Sequence, residues 1–538
     1  MRPTAAEATG EHRLVSGGAQ VTRRLRRLFV PLLVVIALAA AAFTLVATEK
    51  YGVGASPDSV AYLSAARSLR SGSLATYSGD PYIIWPPGLP ALLAAIPGDP
   101  LVVARFLDAL CLAALALLVG LWVKQASGPL VGLAAAALAA TSIPLLYVYS
   151  FLWSEPLFIL LTTASLFCLA KYRVRPSMRL LLSAAVLAGV AGLTRYSGTV
   201  LIAIGAALLL MDATRSLRSR LKSVLLFGLI GAAPLVAWLL RNWVVARTLT
   251  GRQPPQTPLS AQLHGAWGTA LAWTSLHVPL TADLSPVQHL AQGLMVIAVL
   301  GLLGWFAWSR RRTLFSRATL ADSSFWMATV FAAGYVVLLI YTAATSKLDL
   351  LGDRLLSPVY PSLLVACLIA AHYAWQRWRL RYSRPRLGTW LLLIAVLVVA
   401  CLTLPNRALE VRSRLATDVH NGAGGYTKDY WMRSATMAHV RSWGPGVVYS
   451  NAPDLIYLRT GRSAKFFPTR AQGIDRWLQR TRTERIVLVR LGSGDNRPLL
   501  YTFDQLLRYL PDPTVTRYSD GIVARSTDPV LSGRSDPR

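Results

Sequence analysis

Two acid-bearing turns and three arginines stand where long apolar runs of this chain begin or end. Ser56-Pro57-Asp58 follows the first run, Ser154-Glu155-Pro156 opens a later one, and Arg195, Arg241 and Arg354 sit in LTRYSG, LLRNW and DRLLSP. A carboxylate beside a membrane surface can take the proton of a hydroxyl as its oxygen attacks an electrophile. A guanidinium presents a planar fork that binds phosphate oxygens at two points. The same residues also have plain structural uses. Asp58 and Glu155 each suit the first turn of a helix, where an acid meets the positive end of the helix dipole. An arginine at the end of a span can snorkel to the interface. Charge at the edge of hydrocarbon is costly unless it faces a polar cavity, which singles out Glu155.

The elements that must hold these groups are membrane spans. Hydrophobic residues are 54% of the 538 positions and charged ones 15%, and apolar runs near twenty residues recur, so the chain reads as a polytopic α-helical membrane protein. Spans are predicted at 28–48, 100–123, 129–149, 155–171, 180–194, 198–211, 223–244, 288–308, 324–344, 355–374 and 388–404, about eleven transmembrane helices in all. Alternating them makes KQASG, KYRVRPSMR, DATRSLRSRLK, SRRRTLFSR and QRWRLRYSRPR inner loops. All but the first are rich in Arg or Lys, which places them in the cytoplasm. The net charge of +30 therefore reads as topology, and no nucleic-acid partner is expected. Residues 1–27 form a cytoplasmic N-terminal tail ending in VTRRLRRL, and the run after it is long enough for a retained anchor. At 180–211 two short runs flank Arg195-Tyr196, either as tilted spans or as a re-entrant pair.

The outer segments gather acids, aromatics and prolines. They include a first outer loop at 49–99 and a long outer loop at 246–287. In the first, Ser56 can cap a helix opened by Pro57, with Tyr62, Ala65, Ala66 and Leu69 on one face, as suits a helix along a membrane surface. Residues 405–525 read as a small extracytoplasmic α/β domain with strands at 446–450, 484–490 and 521–525 and helices at 471–480 and 502–510, followed by a disordered tail at 526–538. Cys111, Cys168, Cys367 and Cys401 all lie in apolar runs without CxxC spacing, so neither a disulfide framework nor a zinc site is expected. His264, His277 and His289 match no zinc spacing. Asp80 and Asp99 neighbour prolines as turn residues do, and Lys347, Asp349, Asp353 and Arg354 read as a surface ion network. Trp267 and Trp273 read as interface aromatics.

Taken in order, DSVAYLSAARSL with PPGLPALLA, ARFLDALCLAALALLVGLWV, SEPLFILLTTASLFCLAKY, AGLTRYSG, WLLRNW and DRLLSPVYPSLLVA resemble the polyprenyl-phosphate-sugar-dependent membrane glycosyltransferases of the GT-C fold. The likeness is to the bacterial branch related to protein mannosyltransferases and aminoarabinose transferases, and it covers residues 28–404. It implies an inverting transfer of sugar from a polyprenyl-phosphate donor to an acceptor hydroxyl on a glycan, lipid or protein, at the extracytoplasmic side of a bacterial inner membrane. On this chain the resemblance makes Asp58 the catalytic base and Arg354 the donor-phosphate ligand; Arg241 and Arg195, similarly placed near outer ends, read either as further phosphate contacts or as ordinary interface anchors. Glu155 then positions the acceptor or, with Asp58, holds a divalent cation (Mg or Mn). Two other classes compete, a lipid or solute transporter or flippase and a non-catalytic envelope assembly protein. Charges near the outer ends, rather than at the midplane, favour a one-sided enzyme over a transporter. Replacement of Asp58 separates an enzyme from a scaffold.

Overall fold

The computed structural model describes residues 5–273, 286–316, 318–381, 405–442, 446–492 and 499–526. The predicted span at 388–404, Cys401, His277, the His289 side chain and residues 527–538 lie outside that description. Contacts divide the chain into two compact units. The first comprises 1–47, 83–89 and 104–417, and the second 48–82, 90–103 and 418–538. In chain order the helices begin α1 (Ala5–Ala47), α2 (Pro57–Arg70), α3 (Gly88–Ala95), α4 (Pro100–Ser127), α5 (Pro129–Ala140), α6 (Ile143–Val148), α7 (Glu155–Val174) and α8 (Met178–Thr194). They continue with α9 (Thr199–Leu210), α10 (Leu217–Ala246), α11 (Leu259–Ala272), α12 (Pro286–Arg310), α13 (Leu320–Thr345), α14 (Asp353–Leu356), α15 (Val359–Arg381) and α16 over residues 405–421.

The first unit is a helical bundle. Among the described residues six segments are long and apolar enough to cross a membrane: Arg26–Ala47 of α1, α4, α7, α10, Leu290–Leu314 and α13. Large apolar side chains such as Val35, Leu229, Val244 and Leu300 face outward, as a lipid-bathed surface allows. The run 129–149, predicted as one span, breaks in two: α5 ends at Ala140 and α6 starts at Ile143. Thr141 Oγ1 donates back to Ala137 O at 2.8 Å, and Pro144 stands in the first turn of α6, where its missing N–H costs nothing. Arg407 of α16 donates to Leu138 O at 2.9 Å and Thr141 O at 3.1 Å, satisfying carbonyls that the end of α5 leaves open.

The break between α8 and α9 has the larger consequence. α8 ends at Thr194, a 3-10 turn covers Tyr196–Gly198, and Arg195 is set between them in extended backbone at one end of the bundle. Polar bonds brace that end. Tyr196 Oη donates to Ile83 O at 3.0 Å, Trp238 Nε1 donates to Tyr196 Oη at 3.1 Å, and Asn242 Nδ2 donates to Leu249 O at 2.9 Å. Gly88 closes on the same place: a Cβ there would lie 2.6 Å from Leu193 O, so only glycine lets the 83–89 segment lie flush on α8.

The second unit is built on a five-stranded sheet in the order β2-β1-β3-β5-β4, from β1 (Val447–Ser450), β2 (Ala464–Phe466), β3 (Ile486–Leu491), β4 (Thr514–Tyr518) and β5 (Gly521–Arg525). β1 runs parallel to β2 and β3, while β5 is antiparallel to β3 and β4, with Val448 opposite Val487 and Val489 opposite Val523. Alternate residues of β3 feed two cores. Val487, Val489 and Leu491 pack with α18 (Ala435–Ser442) and α19 (Pro453–Thr460), while Ile486 and Leu488 pack with α20 (Asp475–Thr483) and α21 (Phe503–Leu507). α17 (Asp429–Met432) precedes them.

α2 belongs to this unit. Pro57 opens it, and Ser56 N–H donates to Ser59 Oγ at 2.9 Å, as the capping residues predict. Its packing differs from the predicted surface helix, because residues 59–66 are all buried. The small side chains of Ser59, Ala61, Ser64, Ala65 and Ala66 allow neighbours on every side, and α19 is one of them. Arg70, in its last turn, donates to the carbonyls of Leu93, Ala94, Ile96 and Gly98 at 2.6–3.2 Å and so closes the end of α3.

Candidate active site

Glu155 is the centre of the arrangement in the first unit. Pro156 fixes the first turn of α7, Tyr149 Oη donates to Pro156 O at 3.1 Å, and the Glu155 side chain is fully buried. Its Oε1 accepts from two guanidiniums: Arg195 Nη1 at 2.5 Å and Arg354 Nε at 2.8 Å. Arg195 Nη1 also reaches Ser154 Oγ at 3.1 Å. A charged carboxylate is tolerated in burial only when it is paired.

One buried anion faces two cations, and a further acid, Asp349, lies 3.2 Å from Arg354 Nη1 with its side chain largely in solvent, where its field is screened. Arg354 is also held from above by Trp153, whose ring lies 4.4 Å from the guanidinium carbon and stacks on Phe151 at 4.2 Å. The short helix α14 that carries Arg354 is pinned by the next residue back, since Asp353 Oδ1 accepts from Trp273 Nε1 at 2.8 Å. Burial pushes the Asp353 carboxyl above the ordinary carboxylate range, opposed by that indole hydrogen bond and by the charge of Arg414.

Of the residues singled out in the sequence, Glu155, Arg195 and Arg354 come together, although 199 positions separate the first from the last. Arg241 has contacts of its own. It lies 4.9 Å over the Trp238 ring and donates to Asn242 Oδ1 at 3.1 Å. Asp58 is half-buried in the first turn of α2, in the second unit. Asp80 accepts from Ser78 and Asp99 from the Leu101 amide, as turn residues do, and His264 is exposed. Lys347 uses its amide, which donates to Gln253 O at 2.8 Å, and Arg354 pairs with Asp349, as part of the expected ion network.

Three features had no signal in the sequence. Trp153 was one aromatic among several in YVYSFLW, and Arg252, exposed after α10, places its guanidinium 5.7 Å from the Tyr196 ring. Asp108, one acid in the apolar run of α4, is 3% exposed, and its Oδ2 has no hydrogen-bond partner among the described residues.

For the expected divalent cation, Glu155 Oε1 is already taken by two guanidiniums, Oε2 faces Ser154 Oγ at 3.4 Å, and among the described residues no three His, Cys, Asp or Glu side chains gather to hold a metal. What the arrangement can do is bind an anion. Two fixed guanidiniums with one compensating carboxylate form a preorganised positive site, of the kind that stabilises a phosphate or a developing negative charge.

Residues 82–238 match the sequence model of the family described as dolichyl-phosphate-mannose-protein mannosyltransferase. None of the curated proteins matches the chain significantly. Among solved structures the chain is similar to ArnT from Cupriavidus metallidurans bound to undecaprenyl phosphate, at 14% identity, over 94% of this chain and 99% of that one, with a TM-score of 0.56. It is also similar to the archaeal oligosaccharyltransferase AglB from Archaeoglobus fulgidus, in complex with an inhibitory peptide and a dolichol-phosphate, at 11% identity, over 86% and 69% of the two chains, with a TM-score of 0.52. At these identities the likeness is one of fold.

Proposed function

We propose that this chain, a GT-C-fold membrane protein whose residues 82–238 carry the dolichyl-phosphate-mannose-protein mannosyltransferase model, moves a sugar from a polyprenyl-phosphate donor to an acceptor hydroxyl. The observation that carries the reading is the buried Glu155 holding Arg195 and Arg354 at one end of the bundle. A leaving lipid phosphate gains negative charge as its bond to the anomeric carbon breaks, and rigid guanidiniums are the groups that stabilise it. Glu155 and Trp153 keep Arg354 from swinging away, so little reorganisation is needed when that charge develops. Glu155 is then a holder of arginines, and neither an acceptor ligand nor a metal ligand is needed to explain it.

Asp58 takes the other role. The acceptor oxygen attacks the anomeric carbon, its proton passes to the Asp58 carboxylate, and the carbon–oxygen bond to the phosphate breaks. A single displacement inverts the anomeric centre. The topology that goes with this is about eleven crossings, with residues 1–27 cytoplasmic and the α/β unit outside a bacterial inner membrane. The acceptor is a glycan, a lipid or a protein.

Binding of undecaprenyl phosphate by the purified protein tests the phosphate site. Arg354→Ala is expected to weaken that binding at least tenfold, while Trp267→Ala, in the exposed face of α11, leaves it unchanged. Equal affinity for wild type and Arg354→Ala removes the site.

A further inference from the structure

The sheet of the second unit reverses its strand order once, and the chain's own side chains occupy that point. β1 connects sideways to β2, and the next strand, β3, enters on the opposite flank, so the carboxyl ends of β1 and β3 form a topological switch point. Open α/β sheets bind their ligands there. Here Asn451 bridges the two strands: its Nδ2 donates to Leu491 O and its Oδ1 accepts from Leu491 N–H, both at 2.9 Å. Beside it stands Asp454, 4% exposed in the first turn of α19, whose two carboxylate oxygens accept from the hydroxyls of Tyr77 and Tyr426.

Both tyrosines lead to α2. Tyr426 donates its backbone amide to Ala55 O at 2.8 Å, and Ala55 N–H donates to Gly424 O at 3.3 Å, three residues before Asp58. Tyr77 lies in the stretch after α2, where its carbonyl accepts from Ser463 Oγ at 2.5 Å and its ring packs 5.5 Å from that of Tyr457 on α19. Arg67 of α2 lies 5.7 Å from the same Tyr457 ring. One buried carboxylate thus ties the segments on both sides of the acid-bearing helix.

We infer that Asp454 is a positioning residue for sugar transfer: placed where a related sheet would bind a ligand, it ties the segments that flank α2 through Tyr77 and Tyr426 and so sets the Asp58 carboxylate. The inference rests on Asp58 being the base. A charged acceptor suits the task, since hydrogen bonds to a carboxylate are shorter and stronger than neutral ones. A catalytic group displaced by about an ångström costs on the order of a hundredfold in rate.

The test compares full-length wild type, Asp454→Ala, Asp454→Asn, Tyr77→Phe and Asp58→Asn on a labelled panel of undecaprenyl-phosphate hexoses, with hydrogen exchange followed in peptides covering 57–70 and in β1 and β3. Asp454→Ala is expected to lower kcat at least tenfold with the donor KM unchanged, and to speed exchange in 57–70 while β1 and β3 stay protected. Asp454→Asn, which keeps one acceptor oxygen, is expected to recover part of the rate, and Tyr77→Phe to lose less than Asp454→Ala. Wild-type kcat in Asp454→Ala, or exchange that rises equally across β1 and β3, overturns the inference, the latter by making Asp454 a support of the whole sheet. Asp58→Asn separates the two readings: full turnover there removes the base, and with it any catalytic role for Asp454, while the exchange data still report the tether by themselves.

Discussion

Glu155 and Asp454 are both buried carboxylates, and the two units treat them in opposite ways. Glu155, in the helical bundle, is held by two cations, while Asp454, beside the mixed sheet, is held by two neutral hydroxyls. The partners decide what each acid is for. Two guanidiniums present charged N–H donors of the kind an anion can use. Two tyrosine hydroxyls hold the oxygens of the second acid by hydrogen bonds, so that arrangement fixes geometry. A buried acid is therefore informative only once the charge of its partners has been counted.

The comparison can be broken most severely at the base. Asp58→Asn is expected to lower kcat by about 10²–10⁴-fold, the usual range for a lost general base, with undecaprenyl phosphate binding unchanged, because the anion site is made by other residues; single-turnover kinetics check it. Glu155→Leu strands two guanidiniums and is expected to destabilise the bundle by about 3–5 kcal/mol, read as a lowered thermal midpoint in detergent. Arg354→Ala is expected to lower kcat by about 10²–10³-fold, and Arg354→Lys to restore only part of it, since an ammonium cannot present the planar fork. Gly88→Ala forces a Cβ to within 2.6 Å of Leu193 O and is expected to cost about 1–3 kcal/mol, again visible in the thermal midpoint.

The smallest effect is a pH dependence. Burial raises the Asp353 carboxyl, so its protonated form is favoured in the fold, and its contribution to stability is present below the ordinary carboxylate pKa and lost as pH rises through the raised value. Asp353→Asn removes that contribution. The stability of wild type relative to this variant is expected to fall as pH rises from about 4 towards neutrality, as thermal midpoints across that range would show.

Much of the scaffold was legible because bilayer thickness and helix rise set the length of an apolar run. The segments predicted at 223–244 and 324–344 lie inside α10 and α13, and the strands read at 446–450 and 521–525 are β1 and β5 within a residue. What escaped was local chemistry acting against composition. Thr141 and Pro144 interrupt a run whose hydropathy is continuous, and β2 and β4 were missed because they are short edge strands with exposed residues and no clean alternation. The family resemblance pointed to Glu155, Arg195 and Arg354 one by one, but a sequence has no term for a contact across 199 positions. Hence the ion cluster at Glu155 came only with the structure. The role of Tyr77 was hidden for the same reason, since its partner Asp454 lies 377 positions away.

The account stands or falls on whether lipid phosphate is the leaving group. Wild-type protein in nanodiscs, given undecaprenyl-phosphate hexoses labelled in the lipid and in the sugar, is expected to release undecaprenyl phosphate in step with loss of the sugar label from the lipid, with at least one donor turned over. If every donor remains intact while a control glycosyltransferase consumes its own, or if labelled donor crosses the bilayer without cleavage, the chain moves lipids or solutes and the transfer reaction is wrong.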